Sequence, residues 1–294
     1  MSLSLTTVAG MSAGMPLVGD AAAAHAASGF AAYAWLLVAF PLLGAAVLLL
    51  GGRRTDSWGP LFETLARDRT VYAIDGPSHG KSEPVYRDFS FEECVRAAVG
   101  ALDGLGLTER VDWVGNAWGG HVGIRIAATA PSRLRSLTTV GTPIRGFTRR
   151  EMWTKGRPLV AMYRFAGPTH FIVNQLQDSL LGPESVAAQP DQAAIVMESF
   201  RSADRRGMLH AIRSMMLHRS CIEDLLPRVA VPTLVVSVRE DVMGWRPDEA
   251  RRTSALIPDC RVEEVAGTGH ISPLLIDRER IVRLITDFWR TAAK

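Results

Sequence analysis

The first 52 residues of this 294-residue chain contain no lysine or arginine and a single acid, Asp20. All 33 basic residues, and 29 of the 30 acidic ones, therefore stand at position 53 or later. An uncharged head precedes a normally charged body. The small positive excess of that body, dispersed and without interleaved aromatics, excludes the footprint of a nucleic-acid binder. Cysteine is scarce too. Cys94, Cys221 and Cys260 lie far apart, with no C-x-x-C and no Cys/His spacing of a zinc site. So low and odd a count fits a reducing compartment and small buried apolar side chains, and neither a metal nor a cofactor is expected. With 47% apolar and 21% charged residues, disorder and collagen-like repeats are excluded. The length fits one large domain or two small ones.

Residues 1–29 are rich in Ala, Gly, Ser and Thr and read as a leader. Phe30–Leu50 is a run of 21 residues without a charge, long enough to cross a bilayer as an N-terminal hydrophobic helix. Pro41 and Gly44 are tolerated in such helices. Tyr33 and Trp35 sit near one end, and Arg53 and Arg54 follow the other. The positive-inside rule then puts the body on the cytoplasmic side, with membrane association through 30–50. At short range the same sequence has a second reading. Ala46–Leu50 (AVLLL) is a candidate buried strand, with Gly51-Gly52 as the loop after it, and periodicity does not separate the two. No earlier strand is identifiable in residues 1–44, which would leave the sheet starting at an exposed edge. Trp35–Gly59 (WLLVAFPLLGAAVLLLGGRRTDSWG) resembles the first membrane span of the large antiporter-like subunit of actinobacterial proton-pumping NADH–quinone dehydrogenase. The resemblance ends there, so proton pumping is not transferred. A fusion joined near Gly51–Pro60 fits both readings.

After Trp58 strands and helices alternate. Pro60–Arg67 is a short helix and Thr70–Ile74 a strand ending in Asp75-Gly76-Pro77. Ser90–Leu105 has helical spacing, with Ser90 as N-cap. Arg110–Val114 is a strand, Gly119–Ala130 a helix stopped by Pro131, and Leu134–Val140 a third strand. Pro232–Val238 and Cys260–Val265 are further strands, and Arg278–Arg290 is a final amphipathic helix. This pattern predicts an α/β fold, a mostly parallel sheet covered by helices. Between Thr142 and about Leu226 the alternation breaks into an aromatic- and Met-rich helical segment with Pro158, Pro168, Pro183 and Pro190. It reads as an inserted helical cap. The expected division is a head of 1–52, a core of 53–143 and 227–294, and a cap of 144–226.

At the end of the second strand stands Gly115-Asn116-Ala117-Trp118-Gly119-Gly120. Its strand–turn–helix context and its glycines at positions one and five fit a G-x-S-x-G nucleophile elbow. Asp75-Gly76-Pro77-Ser78-His79-Gly80-Lys81-Ser82 is similar to a D-x-x-G-x-G-x-S turn, with Ser78 in place of a glycine. Asp241 follows the Pro232–Val238 strand, and His270 closes Gly267-Thr268-Gly269-His270. In these landmarks and their order, Trp58–Lys294 resembles the α/β-hydrolase fold superfamily. The resemblance implies Asp241 and His270 as acid and base and Ala117 at the nucleophile position. It also implies Trp118 as an oxyanion donor through its N–H, with Gly51 and Gly52 in the place of the second donor loop and Asn116 flanking the pocket.

Ala117 breaks the pattern, because a methyl group attacks nothing. The expected function is a hydrolase-fold enzyme acting on a small, largely apolar substrate with a His270–Asp241 general base and no serine nucleophile. Two alternatives stand beside it: a serine-type esterase inactivated by Ser-to-Ala replacement, and a non-catalytic ligand-binding protein of the same fold. Of the other histidines, His79 reads as loop structure and His121 as packing or facing solvent. His170, His210 and His218 lie in the cap.

Overall fold

The computed structural model describes residues 5–8, 46–48, 59–67, 69–80, 82–241 and 245–292. Within these residues the β-branched runs form seven strands: β1 (Leu5–Val8), β2 (Ala46–Leu48), β3 (Val71–Ile74), β4 (Val111–Asn116), β5 (Leu134–Val140), β6 (Thr233–Val238) and β7 (Cys260–Val265). They pair in the orders β1-β3-β2 and β4-β5-β6-β7, and β2 also lies beside β4, so the two sheets adjoin. Every ladder is parallel except β1–β3. All six residues of β4 and of β6 are buried, as a parallel sheet covered on both faces requires. At the β7 edge, Arg261 and Glu263 place charge along the strand, which discourages edge-to-edge pairing.

Two expectations about the head change. Most of the charge-free run Phe30–Leu50 lies outside the described residues, but Ala46–Leu48 is a strand in register with Val71–Ala73. A single helical span reaching Leu50 is therefore corrected at its C-terminal end: those backbone groups bond to β3 rather than within a helix. Among the described residues no helix is long and apolar enough to cross a membrane. The sheet also has an early strand that the sequence did not reveal, since Leu5–Val8 pairs antiparallel with Val71–Ile74. Four residues, LTTV, are too short a run for period-two alternation to stand out.

The core helices are α1 (Gly59–Leu65), α2 (Phe91–Gly104) and α3 (Trp118–Thr129). Ser90 and Glu93 close a reciprocal capping box on α2. Between β5 and β6, besides the short helical turns Arg149–Glu151 and Glu223–Arg228, the chain runs through five longer helices: α4 (Arg157–Ala166), α5 (His170–Leu180), α6 (Gly182–Ala188), α7 (Pro190–Arg201) and α8 (Arg205–Met216). A π-helical turn, Met152–Gly156, leads into α4. Pro158 follows it and lacks the N–H that an α-helical turn would use, so the ladder widens just before it. The fold closes with α9 (Pro247–Ser254), α10 (Ser272–Ile276) and α11 (Arg278–Ala292), which packs on α1.

One buried carboxylate ties the early strands to the rest. Asp112 of β4 is fully buried and takes hydrogen bonds from Arg69, at 2.8 Å, from Arg135, and from the Ser136 hydroxyl at 2.6 Å. Such a charge is tolerated inside a protein only when its oxygens are satisfied in this way. Arg69 in turn lies over the ring of buried Trp289 in α11, 4.3 Å from its centroid.

Candidate active site

Ala117 has φ 46° and ψ −112°, a conformation that non-glycine residues rarely adopt. Contacts on every side impose it. The Ala117 N–H donates to the Val140 carbonyl at 2.9 Å, and its carbonyl accepts from the His121 N–H at 3.2 Å. Strand and helix meet so closely that a Cβ on Gly115 would collide with the backbone of Gly119 and Gly120. One on Gly120 would collide with Thr142. Both glycines are thus required by close approach: Gly115 is the first glycine of the elbow spacing, while Gly120 lies one residue beyond its second, Gly119.

Beside this turn the structure brings His270 and Asp241 together. Nδ1 of His270 lies 2.6 Å from Oδ2 of Asp241, and both side chains are buried. Because a carboxylate only accepts, the bond assigns the imidazole proton to Nδ1 and the lone pair to Nε2. The His270 loop is pinned from two directions. Ser272 Oγ accepts from the Thr268 N–H at 3.0 Å, and the Leu180 carbonyl at the end of α5 accepts from the Ile271 N–H at 2.8 Å.

Asn116 borders the cavity, and its amide nitrogen points away from the space above residue 117, donating to the carbonyls of Val140, at 2.9 Å, and His270, at 3.0 Å. Both donors are spent, and the residue ties the elbow to the histidine loop instead. Trp118 opens α3, where N–H groups have no intrahelical acceptor. Its indole stacks on Phe91, with centroids 4.5 Å apart, and meets the edge of Phe89. Gly51 and Gly52 lie outside the described residues.

Ala117 and His270 both face a cavity of about 710 Å³, within the range of pockets that enclose small molecules. Its walls are mainly apolar and come largely from the segment between β5 and β6, including Leu159, Met162, Leu176, Met197 and Phe200. Phe91 and Trp245 add aromatic surface.

Several lining residues were not read from the sequence as site residues. His121 is fully buried and borders the cavity, contrary to a packing or solvent role alone. Burial first, then the charges of Arg125 and Arg219, push its pKa well below the ordinary histidine value, against a weak pull from the Ser220 backbone. Its ring packs 4.2 Å from Phe91, and neither nitrogen completes a hydrogen bond of normal geometry. His79 also borders the cavity. Its Nδ1 is 2.8 Å from the Pro77 carbonyl, and burial lowers its pKa against that bond. Ser78 stands at φ 63°, which is why a glycine is usual there. Arg145, Glu249 and Arg219 are among the charged residues of the wall, and only their proximity in the fold reveals them. By contrast, His210 and His218 turn to Asp88, at 2.6 and 3.1 Å, and His170 is exposed.

Comparison with known proteins fits this geometry. The alpha/beta hydrolase family matches residues 46–284. The "Putative carbamate hydrolase RutD" of Azorhizobium caulinodans is 29% identical over 237 residues, covering 77% of this chain and 84% of that protein. A thermophilic esterase from Thermogutta terrifontis superposes with a TM-score of 0.75 at 22% identity, over 88% of this chain and 98% of that one. A further match is short: over 29 residues, 10% of this chain and 5% of that protein, the chain is 76% identical to NADH-quinone oxidoreductase subunit L of Mycobacterium tuberculosis.

Proposed function

Because the chain belongs to the alpha/beta hydrolase family, and is therefore a hydrolase by descent, we propose that it cleaves a small, largely apolar ester or carbamate with His270 as general base and without a covalent step. The observation that carries this reading is the 2.6 Å bond between His270 and Asp241 at the edge of an apolar cavity whose elbow presents only a methyl group. Nε2 of His270 takes a proton from water, and the resulting hydroxide adds to the substrate carbonyl. The tetrahedral oxyanion is stabilised by the N–H of Trp118 at the start of α3. When the intermediate collapses, the imidazolium returns its proton to the leaving alcohol or amine oxygen or nitrogen. Asp241 holds the ring in the required tautomer and balances its transient charge. The helices between β5 and β6 act as a cap that excludes bulk water and lends the pocket its apolar character. The carbamate and ester chemistry in the names of the relatives supports the choice of bond.

The test is turnover of a panel of carbamates and short-chain esters by the wild type and by His270→Ala. Loss of measurable turnover in a folded His270→Ala protein is the expected result. Undiminished turnover in that variant would overturn the proposal.

One observation favours a second reading. The backbone at Ala117 keeps a strained conformation, which is the geometry that projects a nucleophile in a working elbow. Under this reading the chain is a serine-type esterase that has lost its serine, and the wild type turns over none of the panel.

A further inference from the structure

We infer that the substrate carries a carboxylate in addition to the bond that is cut, and that Arg219 is the side chain that binds it. The inference rests on the proposed hydrolase reading and adds the substrate's charge to it.

Among the described residues five charged side chains border the cavity: Arg145, Glu151, Lys155, Arg219 and Glu249. Four are accounted for. Arg145 and Glu249 form an ion pair at 2.9 Å. Glu151 is held in a capping box by the backbone and hydroxyl of Thr148, at 2.9 and 2.8 Å. Lys155 is exposed to solvent. Arg219 is different. It is partly buried, its Nε donates to the Arg145 carbonyl at 3.1 Å, and its guanidinium lies over Phe147. No carboxylate among the described residues pairs with it. Burial draws its pKa down to about 10, against the pull of the Glu151 and Asp241 charges, so it remains a cation at neutral pH.

A guanidinium in an apolar wall without a counter-ion is costly, and the cost is relieved by an anion that arrives with the ligand. The position also fixes the form of contact. With Nε committed to Arg145, the donors left are on Nη1 and Nη2, the end of the fork that matches the two oxygens of a carboxylate. One cation that makes no ion pair, already within the field of Glu151 and Asp241, favours a carboxylate over a phosphate dianion. His121 adds a second polar group on the same side. Its neutral imidazole feels the charge of Arg219, and its nitrogens complete no hydrogen bond of normal geometry within the protein.

The test compares two probes with one skeleton, monomethyl adipate and dimethyl adipate, by isothermal titration calorimetry at low and moderate salt. The wild type should bind the monoester more tightly by about 10- to 100-fold, the range of a charge-assisted hydrogen bond pair. Arg219→Met should reduce the ratio to below about threefold, and Arg219→Lys should restore part of it, because lysine keeps the charge and loses the fork. Equal wild-type affinities, or a preference that survives Arg219→Met, would overturn the inference. The wild-type comparison stands alone if Arg219→Met fails to fold. Binding is measured rather than turnover, and the same titrations on His270→Ala should keep the monoester preference. Failure of the general-base mechanism is thereby read separately from failure of carboxylate recognition.

Discussion

Restoring an oxygen at residue 117 probes both functional readings at their common point, the alignment of the elbow with His270. Ala117→Ser adds one atom to a side chain that faces an open cavity of about 710 Å³, so no overpacking is expected. The backbone already holds φ 46° and ψ −112°, and serine inherits that conformation. Stability should therefore change by no more than about 0.5 kcal/mol, a shift in Tm of roughly 1–2 °C for a domain of this size. The kinetic effect is far larger. A nucleophile removed from a complete triad costs about 10⁶ in rate. An oxyanion hole short of one donor costs about 10²–10³. The variant should therefore gain at least about 10³-fold in hydrolysis of p-nitrophenyl butyrate over the wild type, even with the Trp118 N–H as sole donor. It should also be labelled by a fluorophosphonate, and Ala117→Ser combined with His270→Ala should lose both properties. A folded Ala117→Ser protein that is neither labelled nor accelerated would refute the reasoning. It would mean that Nε2 of His270 does not reach the space above residue 117.

Two further outcomes follow from the buried charges. His121 has a folded pKa below its unfolded value of about 6.5, so between the two pKa values the unfolded chain binds more protons. Stability should then fall as pH drops below about 6.5, by up to about 1.4 kcal/mol per pH unit, with His79 acting in the same direction. Urea midpoints measured from pH 7.5 to 5.0 should show this decline, and it should flatten in His121→Phe; an unchanged slope would show that His121 titrates normally. Asp112→Ala strips the buried carboxylate from Arg69 and Arg135, whose side chains are 13% and 23% exposed. A loss of about 3–5 kcal/mol in equilibrium unfolding is expected, toward the lower end because both guanidiniums reach some water. A loss under about 1 kcal/mol would show that the cluster is not a tie between the early strands and the sheet.

Most strands and the longer core helices after residue 59 could be read from the sequence, whereas the short helices Pro247–Ser254 and Ser272–Ile276 and the separate helices between β5 and β6 could not. β3 was a β-branched and aromatic run ending in a turn, and Ser90 with Glu93 announced the start of α2. The head was harder for a physical reason. A three-residue strand in an apolar run, such as Ala46–Leu48, has the same composition as a helical span, and only its partner β3 distinguishes the two. In the site, Ala117, Asp241 and His270 were legible from order and turn context. Arg219, Glu249 and Trp245 carry no such signal, because a cavity wall is assembled from distant segments. Asn116 was expected beside the pocket from its adjacency to the elbow; what the sequence did not show is that its amide donors hold the His270 carbonyl.

That bond explains how the turn holds its shape with only a methyl group at residue 117. A sparsely populated, positive-φ conformation at a non-glycine residue costs of the order of 1–3 kcal/mol, and a chain free to relax would abandon it. Here relaxation would break the Ala117–Val140 bond, separate Asn116 from both Val140 and His270, and open the contact of Gly115 with the start of α3. None of these interactions involves the side chain at 117. The turn is therefore imposed by its neighbours and is indifferent to whether a methyl or a hydroxymethyl group projects from it. The same tie means that the elbow and the His270 loop move as one body, so the base keeps its position relative to residue 117 in the absence of any bond between them. Substituting Asn116 should then disturb His270 more than substituting Ala117 does, which is the reverse of the order expected if the nucleophile itself organised the site.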